Sequence, residues 1–301
     1  MDPKPRITIK DVARAEGVST HTVSRVLNER PDVSSETRMR VQQVIAELGY
    51  SPNVIARNLS RGRSNTLGVI GYGLIYFGSS GVIAGIESKA NELGYSLTRF
   101  SDVHTPIISI NMGHDGLDHV VALDNRLGGK LATEHLLQGG YQDIGIITGP
   151  RHWWEAKERL MGWQETVEEA GYSDIDRLIV EGDWNAPSGD VGLHSLLDQN
   201  PEVDAVFVSN DQMALGSLQA ARRLGLKVPE DLGIVGFDDI PEAAYFYPSL
   251  TTVRQNTQKL GAMAVDQIHA LIQVEQHGKA LEPEIAWVKP RLIVRKSSVR
   301  K

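Results

Sequence analysis

Thr8-Ile-Lys-Asp-Val-Ala-Arg-Ala-Glu-Gly-Val-Ser-Thr-His-Thr-Val-Ser-Arg-Val-Leu-Asn28 encodes two short helices separated by a tight turn. Thr8 and Asp11, three residues apart, have the spacing of a capping box, which starts one helix, and Gly17 ends it. Ser19 is placed to cap a second helix running to Asn28, with Val23, Val26 and Leu27 on its buried side and Thr20, His21, Thr22 and Arg25 outside. Ser34 caps a third, with Val41, Val44, Ile45 and Leu48 on one face and Gly49 at its end. Three short helices sharing one small core fit a helix-turn-helix, and equally a plain three-helix bundle with a solvated polar surface.

Charge bears on that choice. The chain of 301 residues has a net charge of -7, but residues 1–65 hold 11 Lys or Arg against 7 Asp or Glu, a net of +4, leaving -11 for the remainder. Phosphate attraction acts over roughly 8–10 Å in salt, so an acidic protein binds DNA when its basic end leads. In the major groove, a guanidinium such as that of Arg25 bonds guanine bidentately, while His21 or Thr20 discriminates more weakly.

Beyond the head, Tyr50-Ser-Pro-Asn53 leads into Ala56-Arg57-Asn58-Leu59. Pro52 disfavours helix at Ser51, whereas Ala56, Arg57 and Leu59 suit two helical turns, too short to persist alone in water. From Thr66 onward, apolar runs alternate with helical stretches: Leu67–Ile70 then 82–93, His119–Leu123 then 128–138, and Ile144–Ile147 then 155–170. Ala205–Val208 before 211–224 and Gly233–Gly236 before a closing helix, Lys259–Gln273, continue the pattern. Unbroken apolar strands with helices between them mean parallel sheets covered on both faces, and ligands then sit beyond the strand carboxyl ends. Those ends are polar: Asp124-Asn125, Gly149-Pro150-Arg151, Ser209-Asn210-Asp211 and Phe237-Asp238-Asp239. Glu181-Gly-Asp-Trp184 adds an indole able to stack on a sugar face, and the carboxylates, amides and guanidinium can each bond paired hydroxyls.

The segment Asp11–Asn28, followed by Tyr50–Asn53 and Ala56–Leu59, resembles the lactose/galactose repressor family (LacI-type), and the similarity runs to Arg295. The resemblance implies an all-α helix-turn-helix head (1–50), a hinge helix and linker (51–65) and a two-lobed effector-binding and dimerisation body (66–301) of periplasmic-binding-protein type, each lobe a doubly wound parallel sheet. It implies a cytoplasmic, homodimeric transcription regulator that binds a pseudo-palindromic operator, most simply a repressor of carbohydrate-utilisation genes tuned by a small sugar. DNA contacts are expected from Thr8, Ser19, Thr20, His21, Thr22, Ser24, Arg25, Asn28, Tyr50, Asn53, Ala56, Arg57 and Leu59. In the family, the leucine matching Leu59 wedges into the central minor-groove step. Arg159, Trp184, Asn210 and Asp238 match effector-contacting positions of sugar-responsive members. Tyr76, Asp124, Trp153 and Gln212, beside the same strand ends, complete the expected effector set.

Each assignment has a plainer competitor: Asp211 as a mere helix cap, Trp184 as core, Arg159 as part of a solvated face. Two alternative functions also stand, a sugar-binding transport-type protein and a regulator with a purine or phosphoprotein corepressor. Zero cysteines exclude disulfides and thiol catalysis, the histidines lack metal spacing, and no serine has a nucleophile-elbow context, so neither an enzyme nor a cofactor is expected. No apolar run of membrane-spanning length occurs.

One stretch departs from the family pattern. Between Ser96–Phe100 and Pro106–Ile110 the family has a helix, a strand and another helix, whereas only residues 101–105 intervene here. A parallel crossover needs about a dozen residues or more. Either the lobe is reduced, with a displaced strand, or residues are missing between Ser101 and Thr105. The exposed sheet face that a reduced lobe leaves favours the second, for which a break in Cα spacing is expected.

Overall fold

The computed structural model describes residues 8–27, 30, 32–48, 50, 66–69, 77–93, 95–98, 107–111, 119–276, 282 and 284–300. Asn28, Asn53, Ala56, Arg57, Leu59 and Tyr76, and the join at 101–105, lie outside the described residues. The chain divides into two compact units, Met1–Thr66 and Leu67–Lys301.

In the first unit, helices α1 (Ile9–Glu16), α2 (Thr20–Leu27) and α3 (Ser35–Leu48) enclose a core of Val12, Ala13, Val23, Val26 and Val41. The starts are fixed by side chains, as expected. Thr8 N–H donates to the Asp11 carboxylate at 2.9 Å, Ser19 Oγ accepts from Thr22 N–H at 3.0 Å, and Ser34 Oγ accepts from Thr37 N–H at 3.3 Å. Gly17 closes α1 at φ +69°, a left-handed conformation that a side chain would oppose. Arg40 on α3 bonds Glu16 at the end of α1 at 2.6 Å, fixing the third helix to the first.

The second unit contains β1 (Thr66–Gly68), α4 (Phe77–Glu92), β2 (Ser96–Thr98), β3 (Ser109–Ile110), β4 (His119–Leu123), α5 (Asn125–Gln138), β5 (Ile144–Thr148), α6 (Trp154–Glu169), β6 (Ile179–Glu181) and α7 (Ala186–Gln199). It continues with β7 (Ala205–Val208), α8 (Asp211–Arg223), β8 (Gly233–Asp238), β9 (Thr251–Arg254), α9 (Thr257–Gln276), β10 (Glu284–Val288) and β11 (Arg291–Ile293). One lobe carries the parallel sheet β10-β4-β3 and the pair β1-β2. The other carries six strands in the order β11-β9-β8-β7-β5-β6, parallel except for β11, which runs antiparallel at the edge. Ile144, Ile146, Ile147, Phe207, Val235 and Phe237, all fully buried, line these central strands because helices cover both faces.

Apolar runs alone do not reveal four of these strands. β6, β9, β10 and β11 are short or polar, with Thr251, Thr252 and Arg254 in β9 and Glu284 and Trp287 in β10, so their pairing rests on neighbours rather than on composition. α7 is likewise hidden in the Gly- and Ser-bearing run Ala186-Pro-Ser-Gly-Asp.

Candidate effector site and nucleic-acid interface

The carboxyl ends of β4, β7, β8 and β9 bring one buried guanidinium to the centre of a polar cluster. Arg159, on the second turn of α6, is 5% exposed, which removes the solvated-face reading. Its Nε donates to Asn125 Oδ1 at 2.8 Å and its Nη1 to the Ser209 carbonyl at 2.5 Å. Nη1 also lies 3.7 Å from Asp238 Oδ1. Aromatic rings bracket the guanidinium, with Phe237 at 3.7 Å and Trp184 at 5.5 Å from their centroids.

Asp238, at the end of β8, has φ +112°, and Asp239 follows at +55°. Two consecutive left-handed non-glycine residues are a strained turn, held by neighbours. Asp211 supplies part of that hold: Oδ2 accepts from Ile240 N–H at 2.9 Å and Oδ1 from Thr252 Oγ1 at 2.6 Å. The helix cap is Asn210, whose Oδ1 accepts from Met213 N–H and whose Nδ2 donates to the Trp184 carbonyl, both at 2.9 Å. The expectation that Asp211 caps α8 is thus corrected. Asn210, with both ends of its amide engaged, anchors Trp184. Asp239 bonds Arg254 and Arg295, which completes the turn.

Burial is the largest influence on Asp238. It raises the carboxyl to about 6, against the pull of Arg159 and of the Gln255 amide, which donates to Oδ1. Burial also raises Glu155, one helical turn before Arg159, and raises Asp211 well above the ordinary carboxylate range. Burial lowers Arg159, and the opposing carboxylates only partly offset it.

Trp184 is 7% exposed and belongs to the core, so the plainer reading holds for most of its surface. It adopts φ +74° and meets Trp153 edge to face, with centroids 6.1 Å apart. Its indole fits only because position 149 is glycine: a Cβ there would lie 2.1 Å from the ring. The indole Nε1 and Ser209 Oγ are buried without a hydrogen-bond partner, two polar groups suited to a ligand at this site. Asp124 caps α5 through Leu127 N–H at 2.9 Å, and Gln212 is half-buried at the start of α8. Asn125 and Ser209 stood at strand ends legible in the sequence; Gln255 was missed with the strand it follows, β9.

In the first unit, Ser19, just before α2, and Thr20, His21 and Arg25 on it are exposed and Thr22 and Ser24 half-buried, while Thr8 is engaged with Asp11. Arg25 pairs loosely with Asp32 at 3.2 Å in solvent. Tyr50 packs against the three-helix core.

Residues 8–53 match the bacterial regulatory proteins of the lacI family, and residues 133–298 match the periplasmic binding protein-like domain. The HTH-type transcriptional repressor PurR of Edwardsiella ictaluri (strain 93-146) is 33% identical over 334 residues, covering 96% of each chain. The chain belongs to the lacI family of bacterial regulatory proteins. The regulator resembles the crystal structure of the lac repressor dimer bound to operator and the anti-inducer ONPF, with a TM-score of 0.78, 29% identity and coverage of 98% of this chain and 100% of that one. It also resembles a complex of the transcriptional regulator CelR with cellobiose, at a TM-score of 0.69, 29% identity and coverage of 97% and 100%. The 334 aligned positions are 33 more than the regulator's 301 residues, so the PurR relative carries residues with no counterpart here. Among the described residues, no helix is long and apolar enough to cross a membrane, and no group of three or more His, Asp or Glu is placed to hold a metal ion.

Proposed function

We propose that the regulator is a homodimeric repressor of carbohydrate-utilisation genes whose grip on a pseudo-palindromic operator is tuned by a small, uncharged sugar. The observation that carries this reading is the buried Arg159–Asp238 pair at the strand ends, beside Phe237, Trp184 and the unpartnered Trp184 Nε1 and Ser209 Oγ. Side by side, a guanidinium donates to and a carboxylate accepts from adjacent hydroxyls of one ring, and an indole excludes water from the ring's apolar face. Two-fold symmetry of a dimer requires two half-sites, each read by the exposed N-terminal side chains of α2, with Arg25 as the base-reading group. The hinge segment Asn53–Ser60, with Leu59 as its wedge, is assigned the minor-groove role by family resemblance. We place the protein in the cytoplasm, with its operator, and assign it no catalytic role.

The alignment surplus of the PurR relative fits both readings of the short join at 101–105, a reduced lobe or missing residues. A transport-type role is disfavoured by the basic head and its lacI-family match.

A thermal-shift screen of mono- and disaccharides, with purine bases as a second set, tests the effector reading. A sugar is expected to raise the melting temperature of the wild type and of neither Arg159→Ala nor Asp238→Ala, while operator binding by both variants stays near normal. A purine that stabilises the protein, or a sugar response surviving in both variants, overturns the assignment.

A further inference from the structure

The second unit's chain passes three times between the β10-β4-β3 sheet and the six-stranded sheet: from β4 into α5, from β9 into α9, and from β10 into β11. We propose that Asn125 and Gln255 are positioning residues that tie the Arg159–Asp238 pair to the first two crossings, so that whatever occupies the pair sets the path of the chain between the lobes. This rests on the effector reading of Arg159 and Asp238.

Asn125 stands at the first crossing. It is 1% exposed, its Nδ2 donates back to the carbonyl of Leu123, the last residue of β4, and its Oδ1 takes the Arg159 Nε bond. One amide therefore grips the strand on one side of the crossing and the guanidinium on the other. Gln255 is the first residue beyond β9; its Nε2 donates to Asp238 Oδ1, and the next residue, Asn256, accepts from Lys259 N–H at 3.0 Å to open α9. Among the described residues, no hydrogen bond or ion pair joins Lys289 or Pro290, at the third crossing, to either member of the pair.

The physical consequence follows from hydrogen-bond capacity. Arg159 and Asp238 are buried among Glu155, Asp211, Phe237 and Trp184, where an unpaired charge is strongly disfavoured. A hydroxylated ligand that takes donors from Arg159 and lone pairs from Asp238 competes with, or realigns, the bonds to Asn125 and Gln255. Both of those residues sit where a small change in backbone torsion swings one lobe against the other. A ligand acting elsewhere in the cleft lacks this direct connection to the crossings.

Hydrogen–deuterium exchange on the ligand-free full chain tests the link and needs no effector, so its outcome is separable from that of the sugar screen. In Arg159→Lys the amides of residues 124–128 are expected to exchange on the order of ten-fold faster, and in Asp238→Ala, which removes the acceptor for Gln255, those of 255–259, with α7 as the unaffected control. In the mild truncation Gln255→Ala, the pH at which Asp238 ionises, read as the tryptophan-fluorescence difference from Asp238→Asn, is expected to rise because a donor to the carboxylate is lost. Unchanged exchange at both crossings, a rise spread equally into α7, or an unmoved ionisation in Gln255→Ala each overturns the proposal.

Discussion

Replacing Asp238 by Asn tests whether the site is as dry as its geometry indicates. The carboxyl rises from 3.8 to about 6 because desolvation outweighs the attraction of Arg159 at 3.7 Å and the bond from Gln255. A folded-state value above the unfolded one means that the native protein binds this proton more tightly than the unfolded chain. The associated stability is fully present below about pH 4 and is lost as pH rises through 6. The shift corresponds to about 3 kcal/mol. Glu155 and Asp211 are common to both proteins, so their titrations cancel to first order in the difference. The unfolding free energy of wild type minus that of Asp238→Asn should therefore fall by roughly 2.5 kcal/mol between pH 4 and pH 7.5. All five tryptophans lie at 153, 154, 163, 184 and 287, so urea denaturation followed by tryptophan fluorescence in the full chain reports the second unit alone. Parallel stability curves across that range would show an ordinary, solvated Asp238 and would refute the buried-pair argument.

Further expectations concern both units. Arg25→Ala should weaken operator binding by about 1–3 kcal/mol in electrophoretic titrations, with a smaller loss on random DNA, and the loose pair with Asp32 contributes little to that difference; equal losses on both would make Arg25 a phosphate contact. Leu59→Ala should lower operator bending, measured by energy transfer between end labels, while sugar binding persists. Gly149→Ala places a methyl against the Trp184 indole and should destabilise the second unit by roughly 1–3 kcal/mol and weaken sugar binding, measured by denaturation and by ligand-induced fluorescence. Because a hydroxyl donating to Asp238 favours its ionised form, effector affinity should rise as pH goes from 5 to 7; calorimetry in buffers of different ionisation enthalpy should show proton release near pH 6.

The helix starts and the central core of the head were legible, because their determinants are local, whereas Leu48, expected on the apolar face of α3, is exposed. Thr8 with Asp11, Gly17, Ser19 and Ser34 act within one helical turn, and the spacing of Val23 and Val26 is enough to predict a buried face. The α/β alternation was equally open wherever strands are buried on both faces, as in Ile144–Thr148 and Ala205–Val208. β9, with its two threonines and an arginine, becomes a strand only because β8 and β11 offer ladder partners, and with it went Gln255, the residue that bonds Asp238. Sequence and family resemblance singled out Arg159, Trp184, Asn210 and Asp238. That Asn210 is the helix cap, that Asp211 holds the strained turn instead, and that Arg159 reaches across to Asn125 are long-range facts of packing. A side chain's charge and shape are written in the sequence, but its protonation and its partners depend on how much water the surrounding fold excludes, and that was decided only when distant strand ends met.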